Sequence, residues 1–187
     1  MPDFCEVLKT RRSVRVYSDR AVDEGELEEL IQLATFAPSG GNRQPWTFTV
    51  ITDKELMHKL NERTKAILRD SNAEFARSAF LTGSLNNPEF SIFYNAPVLI
   101  LINGKTETLT ALIDCQLAAE NLFLAAHARG LGTCYMGFLL YGRDDAEVRR
   151  LLRIPEGQEL MAAAIVGHPS VALTPPMRDP ARITWIR

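Results

Sequence analysis

Three short stretches hold the residues able to do chemistry. The first is Arg11-Arg12-Ser13-Val14-Arg15, three guanidiniums within five residues. Such a cluster repels itself unless an anion lies near, and the planar guanidinium fork matches phosphate oxygens. The plain alternative is a solvated basic patch beside the acidic helix that begins near Asp23. The second stretch is APSGGNRQPW, Ala37 to Trp46. Pro38 and the Gly40-Gly41 pair make tight turns, and the glycines let backbone approach a ligand closely. Asn42 and Gln44 carry amide donors and acceptors suited to the edge of a heteroaromatic ring. Here the plain alternative is a helix-to-strand connection with Trp46 packed on the core. The third stretch is GLGTCYMG, Gly130 to Gly137. Its backbone amides can face a ligand. It is not a dinucleotide fingerprint, which needs a strand before it and a helix after.

Other chemistries find no support. Cys134 has no histidine or acid at readable spacing, so it reads as a small structural thiol. His58, His127 and His168 are scattered, and no pair has metal-ligand spacing. No GxSxG, P-loop or HExxH pattern occurs. With a net charge of −2, the chain lacks the basic balance of a nucleic-acid binder. Cys5, Cys115 and Cys134 are an odd set and read as reduced thiols, which points to the cytoplasm. The start, MPDFCEVLKTRRSVR, has no apolar core of signal-peptide length. Leu109 to Ala128 is apolar but carries Asp114, Gln116, Glu120, Asn121 and His127, too polar for a membrane span.

The elements that must position these residues follow from periodicity. Asp3 and Glu6 form a capping signal for a short helix with Phe4, Val7 and Leu8 on one face. Asp23 and Glu26 repeat it, with Leu27, Leu30, Ile31 and Ala34 following and Pro38 closing the helix. Trp46 to Val50 alternates like a half-buried strand. Asp53 caps a helix running to about Arg69, with Leu56, Leu60 and Thr64 or Ile67 inward. Residues 70–95 suggest a helix followed by a mobile segment, and leave open whether Phe90, Phe93 and Tyr94 line a pocket or pack. Pro97 to Ile102 reads as a strand covered on both faces. Thr108 to Arg129 is a long helix, apolar nearly all round, suited to a core or an oligomer interface. GLGTCYMGFL reads as a turn into a short strand, Asp144 to Leu152 as a helix and Leu160 to Val166 as a strand. The tail from His168 is rich in proline and irregular until Ile183-Thr-Trp-Ile186. At 187 residues, with 46% hydrophobic and 24% charged, the chain suits one domain of α+β or α/β class, a small sheet wrapped in helices.

Taken in order, RRSVR, APSGGNRQPW, YNAPVLILI, a long helix into GLGTCYMG, VGHP and a late arginine resemble the nitroreductase family of FMN-dependent oxidoreductases. The resemblance covers nearly the whole chain, and its first two motifs are the most specific. Residues 70–95, where members vary, match least. It implies an α+β, three-layer fold over residues 1–187, with a small mixed or antiparallel sheet, and an intertwined homodimer with FMN at each of two interface sites. Arg11 and Ser13 then match positions that hold the FMN phosphate and ribityl chain, with Arg12 at the same place. Arg15 matches the cation beside flavin N1 and O2. Pro38, Ser39, Gly40 and Asn42, with Gln44 as a further polar contact, match the loop that reaches the flavin held by the other subunit. Backbone N–H groups of Tyr135, Met136 and Gly137 match those near flavin N5. Arg178 matches the late basic residue at the phosphate. Met177 and Pro176 stand where members often carry another cation, so the grip rests more on Arg11. The implied reaction is ping-pong: NADH or NADPH reduces the flavin, which then reduces a nitroaromatic, quinone or similar small acceptor, with no side-chain nucleophile. Alternatives are a flavin-binding redox sensor without turnover and a same-fold flavin destructase, dehalogenase or azoline oxidase. A helical dimerisation domain without cofactor leaves the first two motifs unexplained.

Overall fold

A computed structural model describes residues 3–71, 79–174 and 177–187. Pro176 and the start of the helix expected within residues 70–95 lie outside the described residues. Helix α1 spans Phe4–Thr10 and α2 spans Glu24–Ala34. Asp3 and Asp23 cap them, each accepting backbone N–H groups of the first turn. Strand β1 (Trp46–Ile51) leads to α3 (Lys54–Asp70), capped by Asp53, and then to α4 (Ala79–Asn86). Strand β2 (Val98–Lys105), helix α5 (Ala111–Ala128) and strand β3 (Gly132–Tyr135) follow. Two short helices, α6 (Gly137–Leu140) and α7 (Ala146–Leu152), precede β4 (Gln158–Gly167).

The strands form one antiparallel sheet in the order β1-β2-β4-β3. Each face is covered, which gives three layers. Side chains of Val98, Ile100, Ile102, Ala162 and Ala164 meet Leu27 and Leu30 of α2 and Ala118 and Leu122 of α5. The alternate residues Leu99, Leu101, Ala163 and Ile165 meet Leu60 of α3, Leu139 of α6 and Val148 of α7. Period-two alternation on the central strands therefore feeds two cores at once, which is why β2 reads as a continuous apolar run.

Four expectations needed revision. The long helix starts at Ala111, not Thr108. The segment after α4, read as mobile, is a series of turns with Ile92 and Phe93 in the core. GLGTCYMGFL, read as a turn into a short strand, is a strand only as far as Tyr135, and Gly137–Leu140 is helix α6, too short to show a periodic signal. Ile183 to Ile186 forms no regular element. No helix among the described residues is long and apolar enough to cross a membrane.

An apolar surface remains uncovered. Helix α5 turns Ala118, Leu122 and Ala126 inward, yet Leu112 and Ile113 on its other side are 50% and 62% exposed. Phe4 and Leu8 of α1 and Ile183, Trp185 and Ile186 of the tail are exposed as well. Contiguous exposed aliphatic and aromatic surface of this kind marks interaction sites or ligand grooves.

Candidate active site

The Ser13–Ser18 segment runs along the outer edge of β3. Ser13 bridges Thr133 in parallel, and Val14 N–H donates to Thr133 O at 2.8 Å. Gly132 permits the approach: a Cβ there would meet Val14 Cγ2 at 2.6 Å. Further on, Ser18 N–H donates to His168 O, Ser170 N–H donates to Val16 O, and Tyr17 Oη donates to Val14 O. The segment is thus stitched to both β3 and the start of the tail, and its alternate side chains are aimed.

Arg15 is aimed at a cavity of about 350 Å³, within the range of small-ligand pockets. Tyr94 shares its side of the cavity, with the Arg15 guanidinium 5.7 Å from the ring centroid. Cys134 to Phe138 and Tyr141 line the remainder. Gln116 of α5 donates to Tyr135 Oη at 2.9 Å and to Met161 O at 2.7 Å, so the Tyr135 phenol is fixed from behind. Burial pushes the Cys134 thiol up, against the pull of Arg15, and Cys134 is no ready thiolate. The Met136 N–H is committed to Ala163 O at 2.8 Å. Gly137 opens α6, where helix geometry supplies no intrahelical acceptor for its N–H. Of the amides singled out in the sequence, Met136 is thereby removed as a ligand donor.

The remaining arginines gather beside this cavity's entrance segment. Arg12 donates to Thr174 O and Lys9 O at 3.2 and 2.9 Å. Desolvation, then the nearby guanidiniums of Arg178 and Arg11, lower its pKa from the usual arginine value. Among the described residues the cluster's ion pair is Arg11 Nε to Glu120 Oε1 at 3.5 Å. Close guanidiniums with so little counter-charge suit an anion, and a cavity lined by tyrosines suits an aromatic ring. An aromatic phosphate such as FMN fits both halves.

The proline-serine loop lies elsewhere. It leads into β1, the opposite edge of the sheet from β3. Gly40 N–H donates to Asp114 Oδ1 at 3.2 Å, and Thr110 Oγ1 donates to Asp114 Oδ2 at 2.8 Å. A Cβ at Gly40 would lie 2.5 Å from Thr110 Oγ1. Gln44 N–H donates to Ser39 Oγ, and Gln44 Nε2 donates to Asn42 Oδ1. Gly41, Asn42 and Gln44 all adopt positive φ, near +60°, +53° and +46°. Arg11, Arg12, Ser13, Arg15, Tyr135, Met136, Gly137 and Arg178 therefore meet at one edge. Pro38, Ser39, Gly40, Asn42 and Gln44 do not join them within one chain.

Sequence reasoning left Tyr94 undecided and missed Tyr141 as cavity residues. Tyr94 lines the cavity, whereas Phe93 is core and Phe90 packs edge-on against Tyr94, centroids 6.0 Å apart. No spacing rule marks Tyr141; the short helix α6 carries it there.

With the geometry established, comparison with known proteins is direct. The profile of the Nitroreductase family matches residues 8–168, and the chain belongs to that family. A protein of Archaeoglobus fulgidus, provisionally named NADH dehydrogenase/NAD(P)H nitroreductase, is 30% identical over 171 residues, 90% of this chain and 87% of that one. Iodotyrosine deiodinase 1 of Mus musculus is 31% identical over 187 residues, covering 93% of this chain and 65% of its own length. Among solved structures, a nitroreductase with bound FMN from Bacteroides fragilis superposes over 100% of both chains, with a TM-score of 0.87 and 27% identity.

Proposed function

We propose that the chain is an FMN-dependent oxidoreductase that passes electrons from NADH or NADPH to a small electron-poor acceptor, such as a nitroaromatic or a quinone, as one domain acting in a homodimer. The observation that carries this reading is the under-neutralised Arg11, Arg12 and Arg178 cluster beside a tyrosine-walled cavity that contains a fourth arginine, Arg15. When bound, FMN supplies the redox chemistry, taking two electrons from the nicotinamide and giving them to the acceptor in separate half-reactions.

The protein's part is to bind, orient and stabilise. Arg11, Arg12 and Arg178 hold the phosphate and Ser13 the ribityl chain. Arg15 stabilises the negative charge that reduction places on the N1 and O2 side of the ring. The Gly137 N–H is the donor available to N5, with Tyr135 fixing the backbone before it. Pro38, Ser39, Gly40, Asn42 and Gln44 complete the flavin site of the other subunit, carried there by the apolar faces of α1 and α5. No side chain acts as a nucleophile.

The deciding experiment is the visible spectrum of the purified protein, then its anaerobic titration with NADH and NADPH. A flavin spectrum that bleaches within the mixing time supports an oxidoreductase. Slow or absent bleaching supports a redox sensor, and no flavin after added FMN overturns the reading. The likeness to iodotyrosine deiodinase favours one further assay, halide release from a halogenated phenol by the reduced protein.

A further inference from the structure

Helix α3 carries three polar side chains at four-residue spacing, Asn61, Lys65 and Arg69, on one face. All three bond to the backbone of residues 85–92, Arg69 to the last turn of α4 and the other two to the segment that follows it. Asn61 Oδ1 accepts from Ile92 N–H at 2.8 Å. Lys65 Nζ donates to Asn87 O at 3.1 Å, to Phe90 O at 3.0 Å and to Glu62 Oε1 at 3.3 Å. Arg69 Nε donates to Leu85 O at 3.2 Å. The Lys65 side chain is fully buried, and its three donors meet three acceptors. Glu62 Oε1 also accepts from Asn61 Nδ2, which joins two rungs into one network.

The segment needs such ties because it is a wall between two cavities. Tyr94 faces the 350 Å³ cavity with Arg15. Phe90, Ser91, Phe93 and Asn95 line a larger one of about 790 Å³. Directly after the ladder, Tyr94 and Asn95 adopt φ of +51° and +55°, a conformation that non-glycine residues hold only when their surroundings impose it. Free volume behind a strained turn gives the turn somewhere to relax.

We propose that Asn61, Lys65 and Arg69 form a polar ladder that fixes Tyr94, and through its ring Arg15, in the position the flavin site requires. They are positioning residues, acting through the backbone they hold. The inference rests on the FMN reading for its functional consequence, but the ladder itself is testable without flavin.

The test uses Lys65→Met, which keeps length and removes the donors, and Arg69→Ala, which lies at an exposed position and keeps the protein folded if the first variant does not. Hydrogen exchange of the flavin-free chain is read first. The ladder predicts at least tenfold faster exchange in residues 87–96, with β2 and α5 unchanged. Retained protection there in a folded variant overturns the proposal. FMN affinity and the flavin reduction potential are read second, for each variant alone and combined with Tyr94→Leu. Weakening of about tenfold that vanishes in the Tyr94→Leu background supports action through Tyr94. Independent, additive losses in affinity and potential overturn it. Failure of the unmodified chain to bind FMN overturns the proposed function, and the exchange result then stands alone as the judgement on the ladder.

Discussion

At the β3 edge of the sheet, Arg11, Arg12, Ser13, Arg15 and Tyr135–Gly137 converge within one chain. At the β1 edge, Pro38–Gln44 is just as elaborately shaped but lines neither of the two cavities described above. Its polar atoms bond to one another and to Asp114. Three residues at positive φ and a glycine pressed on Thr110 are a costly way to connect a helix to a strand. The first region is a binding site lacking a lid. The second is a lid lacking a site. Their separation across the sheet is what the proposed homodimer would bridge.

The strongest way to break this comparison is to prevent association. Ile113→Asp places a charge in the exposed apolar face of α5. We expect monomers at micromolar concentration in sedimentation velocity, with FMN affinity down at least a hundredfold. Monomers that keep FMN would show that the β1 loop is dispensable. Arg11→Ala attacks the β3 edge alone: FMN binding, followed by fluorescence quenching, should weaken about tenfold to a hundredfold while the dimer persists. Gly40→Ala attacks the β1 edge alone. Thr110 cannot swing aside without losing its bond to Asp114, so overpacking should cost about 1–3 kcal/mol in denaturant unfolding and loosen FMN. Arg15→Ala should spare retention more than potential, lowering the flavin midpoint by about 30 mV, equivalent to about 1.4 kcal/mol, in a spectroelectrochemical titration.

A control belongs to neither edge. Asp145 caps α7 and pairs with Arg63 at 2.5 Å. The Arg63 hydrogen bond, then the Val148 N–H, hold its carboxyl down to about 2. Because the folded value is depressed, its contribution is fully present above pH about 4 and is lost as pH falls from there toward 2. Asp145→Ala should cost about 1 kcal/mol of stability at neutral pH, flatten the acid limb of the stability curve and leave FMN affinity unchanged.

Much of this was legible in the sequence. The caps at Asp3, Asp23 and Asp53, the double-sided strand β2 and the stop at Gly130 are local signals, and they formed as read. The Arg11–Arg15 cluster was legible because like charges at close spacing demand an explanation. The Asn61–Lys65–Arg69 ladder was not. Its backbone partners are carbonyl acceptors and one N–H donor, 16 to 31 residues away, and backbone groups have no letter in a sequence. Tyr94 was undecided because the positive φ at Tyr94 and Asn95 and the placement of its ring beside Arg15 have no sequence signal. Met136 shows the converse: the resemblance grouped its amide with those of Tyr135 and Gly137, and only the fold shows that this N–H is donated to Ala163 O.

The two tryptophans lie at opposite extremes of environment, and the molecule therefore carries its own optical gauge. Trp46 is 8% exposed and Trp185 is 74% exposed. The first emits from an apolar setting within the single chain. The second, on the extended tail, emits at long wavelength in water and shifts to the blue once another surface covers it. Dilution followed by emission colour thus counts the covered tails directly, with no dye, no label and no substrate.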